Sequence, residues 1–154
     1  MGVVILLSGR GITLLLVTSF VGTLIGVIVF YQLMSQTIEH IPLDVKMRVC
    51  MGNSMAFSFV FSMFAEIVTG SKLVGVCSSL VVNVLATYLI AGPSMLLDIT
   101  EATLSASMGS AMGIMLLGMI GELTVWIIQV LILSVETLLL VIVTRRSKLI
   151  HITK

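Results

Sequence analysis

The sequence predicts an all-α, polytopic transmembrane helical bundle, and three observations carry that prediction. The 154 residues are 58% hydrophobic and only 10% charged. A soluble domain carries about 25% charged residues, so this chain has too little polar surface to face water all round. Stretches such as 11–34 run without a charge for long enough to cross the ~30 Å hydrocarbon core as a helix. The apolar stretches are continuous rather than alternating, which excludes a membrane barrel. Residues 1–154 therefore read as one transmembrane domain of about five spans, with four as the alternative, and lipid is its first partner.

Taken in order, the first span is 11–34. A polar connector, SQTIEHIPLDVKMR (35–48), follows and holds Pro42 with Glu39, His40, Asp44, Lys46 and Arg48. The second span, 49–68, is stopped by TGSK (69–72), a turn signal built on Gly70. A third, 73–91, ends before Pro93, which cannot continue helical hydrogen bonding. SMLLDITE (94–101) then carries Asp98 and Glu101 and no base. Residues 102–144 contain no charge except Glu122 and Glu136, and Gln129 is their one amide. As a single helix they would be ~64 Å long, twice the hydrocarbon thickness. A hairpin is expected near GMIGELT (118–124), with part of the run lying in the membrane interface as the alternative.

An internal repeat supports that hairpin. CMGNSMAFSFVFSMFAE (50–66) and SMGSAMGIMLLGMIGE (107–122) both open on Met-Gly-x-small-Met-small and both close on glutamate. Aligning them sets Glu66 opposite Glu122 and suggests one helical hairpin written twice, 49–91 and 106–144, after an unpaired first span. Repeats of this kind are familiar in transporters. The basic tail, 145–154, should be cytoplasmic by the positive-inside rule. Charge does not separate five spans from four: either count puts six basic residues on the tail's side and two on the other.

Helix contacts in lipid are marked by small residues that let backbones approach. Gly22-x-x-x-Gly26, Gly52-x-x-x-Ala56 and Ser105, Gly109 and Gly113 at four-residue spacing are the candidates. Met108, Met112, Met115 and Met119 line one face of a helix. Thioethers suit Cu(I), and a Met-x-x-x-Met pair beside a Gly-x-x-x-Gly resembles the pore helices of copper-uptake trimers. That family has three spans and a Met-rich external arm, whereas here both pairs share one helix. Adaptable packing is the ordinary role of such methionines, and no metal or other cofactor is expected.

Polar stripes point further. Ser54, Ser58, Ser62 and Glu66 recur every four residues, as do Ser79, Asn83 and Thr87. Glu122, Gln129 and Glu136 recur every seven, which keeps them near one face. A mid-bilayer carboxylate costs at least ~2.5 kcal/mol on insertion scales, so these faces should point at protein or water. Glu136 lies ~13 Å inside the span from Arg145. Either it carries a proton and bonds to a partner such as Asn83, or it titrates within a proton or cation path. Glu66 and Glu122, beside turns, can reach the interface or pair around a cation.

Other classes find little support. Net charge is +1, which argues against nucleic acid as a partner. Cys50 and Cys77 have no metal or disulfide spacing and read as small buried hydrophobes. His40 and His151 lie in a connector and the tail, and no nucleophile elbow, Walker loop or dinucleotide fingerprint is present. No enzyme is expected. The leading expectation is a small membrane transport protein, a channel or carrier subunit for a cation, proton or small solute, forming a homo-oligomer. A non-catalytic subunit of a larger membrane complex is the alternative.

Overall fold

The computed structural model describes residues 2–34, 43–91 and 96–152. They form five helices: α1 (Gly2–Met34), α2 (Leu43–Thr69), α3 (Lys72–Ala91), α4 (Leu96–Met119) and α5 (Glu122–Ile152). Each contains a segment long and apolar enough to span a bilayer, the shortest 19 and the longest 24 residues. The chain is an all-helical, multi-pass membrane protein.

The long apolar run breaks at Ile120–Gly121. There the Gly121 carbonyl accepts hydrogen bonds from the Thr124 and Val125 amides at 2.9 and 3.3 Å, which starts α5. The α2–α3 turn is built differently. Gly70 takes φ +69°, and its N–H donates to the Glu66 carbonyl at 2.8 Å, the left-handed cap that favours glycine. Three helices begin earlier than the spans read from the sequence: α1 starts at Gly2, nine residues before the first span, α2 at Leu43 inside the 35–48 connector, and α4 at Leu96 inside 94–101. The rest of the 35–48 connector up to residue 42 lies outside the described residues.

Packing is organised around α2. It contacts α1, α3 and α4 extensively and α5 at fewer places, while α5 rests mainly on α1. Direction follows from the contacts: Gly109 abuts the Met55 backbone and Gly113 abuts Phe59, so α2 and α4 run parallel. Gly75 against Ser62 and Asn83 against Ser58 make α3 antiparallel to α2. Leu133 beside Gly22 and Gln129 beside Thr18 make α5 parallel to α1. α2 and α3 lie close together, whereas α4 and α5 scarcely touch. The two Met-Gly segments therefore meet each other side by side, α4 on α2.

Two apolar clusters stack along the bundle, one around Leu15, Phe59, Val60, Met63 and Val125. The other gathers Val29, Phe30, Leu33, Cys50 and Phe57. Large apolar side chains such as Leu73, Leu97, Leu123 and Met119 lie open on the outside. That inversion suits lipid, where burying apolar groups gains little and close packing with hydrogen bonds holds helices together.

Candidate functional site

The side chains that insertion into lipid would penalise are the ones the bundle hides. Ser19, Asn53, Ser54, Ser58, Ser62, Ser79, Asn83, Thr87, Ser110, Gln129 and Glu136 are all buried. They form two seams on different sides of α2.

The first seam lies where α2 meets α3 and α4. Asn83 Nδ2 donates to Ser58 Oγ at 2.5 Å and to the Ser79 carbonyl at 3.1 Å. Antiparallel pairing brings Thr87 to the level of Ser54, and both hydroxyls are enclosed without a hydrogen-bond partner. Ser62 Oγ donates across to the Ser110 carbonyl of α4 at 3.3 Å. Close approach of the three backbones is what permits these bonds: a Cβ on Gly75 would meet the Ser62 carbonyl at 2.8 Å, and one on Gly113 would meet Phe59 O at 2.7 Å.

The second seam joins α1, α2 and α5. Thr18 Oγ1 donates to Gln129 Oε1 at 2.6 Å, and Gln129 Nε2 donates to Ser19 Oγ. One turn along α1, a Cβ on Gly22 would meet Val60 at 2.9 Å and Leu133 at 3.0 Å, so α2 and α5 converge there. At the next turn Phe57 covers Gly26, and Asn53 Nδ2 donates to the Gly26 carbonyl at 3.3 Å. Two turns beyond Gln129 on the same face of α5, Glu136 is wholly buried, and neither carboxyl oxygen has a hydrogen-bond partner.

Several expectations are corrected by this arrangement. Glu136 does not pair with Asn83: α3 packs on α2 and α4, α5 packs on α1, and α2 stands between them. Gly52 faces open space: a Cβ added there would meet nothing within 4 Å. Together with Ala56 it edges an open, almost wholly apolar groove of about 300 Å³ between α4 and α5, floored by Phe59 and shared by Met55, Gly109 and Met112. Ser105 sits half-buried at the margin of α4, whose inner face is Ala102, Ala106, Gly109, Ser110 and Gly113. Met108, Met112, Met115 and Met119 are all outward-facing, so that stripe lines no path through the bundle. Cys77 is exposed while Cys50 is buried; four-residue spacing alone does not say which side of α3 meets a neighbour.

Glu66 is half-buried near the end of α2 with one enclosed carboxyl oxygen unpartnered. Lys72 acts on it electrostatically, and a Cβ on Gly118 would lie 3.1 Å from the Lys72 ammonium. Glu122 opens α5 at the same end of the bundle, but its side chain lies outside the described residues, as do those of His40 and His151. Thr18, Ser19, Asn53 and Ser110 belong to the polar interior although no stripe marked them. The amide of Asn53 in an apolar span was the available signal, since such groups rarely face lipid. No protein-family model, no curated protein and no solved structure matches the chain.

Proposed function

We propose that the protein is a small membrane transport protein, a channel or carrier subunit, rather than an enzyme. In this reading polar seams inside the bundle guide a cation, proton or small solute, and Glu136 is the principal contact. One observation carries it: Glu136 is fully enclosed at mid-span with both carboxyl oxygens unpartnered. A glutamate kept only to glue helices together would be hydrogen-bonded across its interface. An ionisable residue inside the membrane is by default a candidate for an ion or proton route. Gln129, Thr18 and Ser19 extend the polar face of α5 and α1 by two turns toward one end. A homo-oligomer with its basic tail in the cytoplasm is the assembly that fits this role.

The test is flux through proteoliposomes holding the wild type or Glu136→Gln, each checked for native mass after gentle extraction. Loss of flux at unchanged mass is expected. Undiminished flux in a correctly assembled Glu136→Gln protein would overturn the proposal.

A second reading, a non-catalytic subunit of a larger membrane complex, draws on a different observation. The groove edged by Gly52 and Ala56 presents small residues, and a Cβ on Gly52 would meet nothing within 4 Å there, as at a helix-docking face. A stoichiometric foreign subunit in the native complex would favour it, and a homo-oligomer alone would remove it.

A further inference from the structure

We infer that Glu136 and Asn53 form a binding site for a monovalent alkali-metal cation at the junction of α1, α2 and α5, with a proton as the competing occupant. This names the cargo class of the transport reading and rests on it for its role, although binding itself is measurable without flux.

Placement comes from register. On α5, Leu133 lies against Gly22, and Leu140 packs on the cluster of Val29, Phe30, Leu33, Cys50 and Phe57. Glu136 falls between those two contacts on the same helical face, turned to the seam between α1 and α2 at the level of Gly26. Asn53 reaches that level from α2, because its amide nitrogen donates to the Gly26 carbonyl. That bond uses the donor end of Asn53 and leaves Oδ1 enclosed and unpartnered, like both oxygens of Glu136. By this register three buried acceptor oxygens fall at one level of the bundle, and none of them has a hydrogen-bond donor.

Charge sets the valence of what they accept. A buried carboxylate must be neutralised by a proton or by a partner charge. Among the side chains described, Arg48, Lys72 and Arg145 are all exposed, so none supplies that charge. Among the described residues the positive charge is therefore left to solution. One carboxylate balances one monovalent cation, whereas a divalent ion would leave an uncompensated charge, and no group of acidic, His or Cys side chains among the described residues would share it. Ligand hardness selects the ion further. Carboxylate and amide oxygens suit hard cations, and the soft sulfurs of the α4 methionines face outward. Without the metal ion, a protonated Glu136 would satisfy the same oxygens by donating its O–H to Asn53 Oδ1. Proton and cation use the same oxygens, so binding one expels the other, charge for charge.

Among the described residues, few other titratable groups bear on the site. On α2, Cys50 is buried in the cluster beyond Leu140, while Arg48 is exposed and Glu66 lies near the far end. On α1, Tyr31 is exposed, and on α4 so is Glu101. None of these shares the level of Gly26.

The experiment uses the purified full-length protein in detergent, with its thermal midpoint read in sodium, lithium, potassium and N-methylglucamine chlorides at equal ionic strength. At least one alkali ion should raise the midpoint above N-methylglucamine, because a ligand that binds only the folded state stabilises it. Where the proton competes, each unit fall in pH should weaken the apparent affinity by up to about tenfold. Glu136→Gln should abolish the response. Asn53→Ala, which keeps the carboxylate, should weaken the cation's affinity about tenfold or more while leaving the N-methylglucamine midpoint measurable. Identical midpoints in all four salts, or a response that survives in Glu136→Gln, would overturn the site. Flux separates the two proposals. An intact alkali-ion response with no flux refutes transport alone, and flux indifferent to alkali ions refutes the cation site alone.

Discussion

Adding one methyl group at Gly109 should separate the two central helices, while the same methyl at Gly52, its counterpart in the repeated phrase, should not. In Gly109→Ala the new Cβ would press on the Met55 carbonyl oxygen, with the Met55 carbonyl carbon and Cα at 3.2 and 3.3 Å. All three are backbone atoms of a buried helix, so no side chain can swing aside. At Gly113, one turn on, the corresponding clash with Phe59 O is 2.7 Å, roughly 0.7 Å short of the 3.4 Å at which ordinary contact begins. Gly109 is tighter still. Relief therefore requires α4 to move off α2 by close to 1 Å, and a radial gap of that size forfeits a quarter to a half of each dispersion contact it opens. Over a helix face this comes to about 1–3 kcal/mol, the usual cost of overpacking. Gly52→Ala meets open space and should be neutral or stabilising by up to ~1 kcal/mol through helix propensity. Unfolding free energies of both variants in mixed micelles, measured against wild type, decide the matter. Equal stability of the two variants would refute the parallel α2–α4 contact on which the bundle is built.

Further expectations follow from the other contacts. Gln129→Leu and Ser19→Ala, combined in a double-mutant cycle, should show a coupling of ~0.6 kcal/mol and at most ~1.7 kcal/mol; a coupling of zero would mean that α5 does not bond to α1 there. Gly70→Ala should cost about 1–2 kcal/mol, because its positive φ disfavours any L side chain, and Gly70→Asn should cost less. In micelles a lipophilic maleimide should label exposed Cys77 and leave buried Cys50 unmodified until the protein is denatured. Prompt labelling of Cys50 in a Cys77→Ser variant would contradict the cluster around Phe57.

Much of the architecture was legible because the bilayer imposes it. Span length follows from hydrocarbon thickness, so the run 102–144 had to break, and it breaks at Ile120–Gly121 within the stretch 118–124. The burial of Gln129 and Glu136 followed from seven-residue spacing with the cost of leaving an amide and a carboxyl in lipid. Helix starts at Leu43 and Leu96 were less legible, because interfacial polar residues end an apolar span without ending a helix. Asn53 escaped notice because it stands alone on its face, and a periodic signal needs at least two members; Ser19 has only Thr23 one turn on, too short a run to read as a stripe. The methionine stripe misled in the opposite way. It is regular, yet regularity says only that the four side chains share a side, and that side faces outward.

By itself the sequence determined which segments lie in the membrane, where they turn, and which side chains could not face lipid, since these depend on hydropathy, length and local hydrogen bonding within one helix. Which helices touch was decided by the tertiary structure alone. In lipid every apolar face is equally at ease against a neighbour or against acyl chains, so pairing depends on where backbones fit most closely. Gly109 on Met55 and Gly22 between Val60 and Leu133 are such fits. They put α2 between α3 and α5, keep Glu136 from Asn83, and bring it to the level of Asn53.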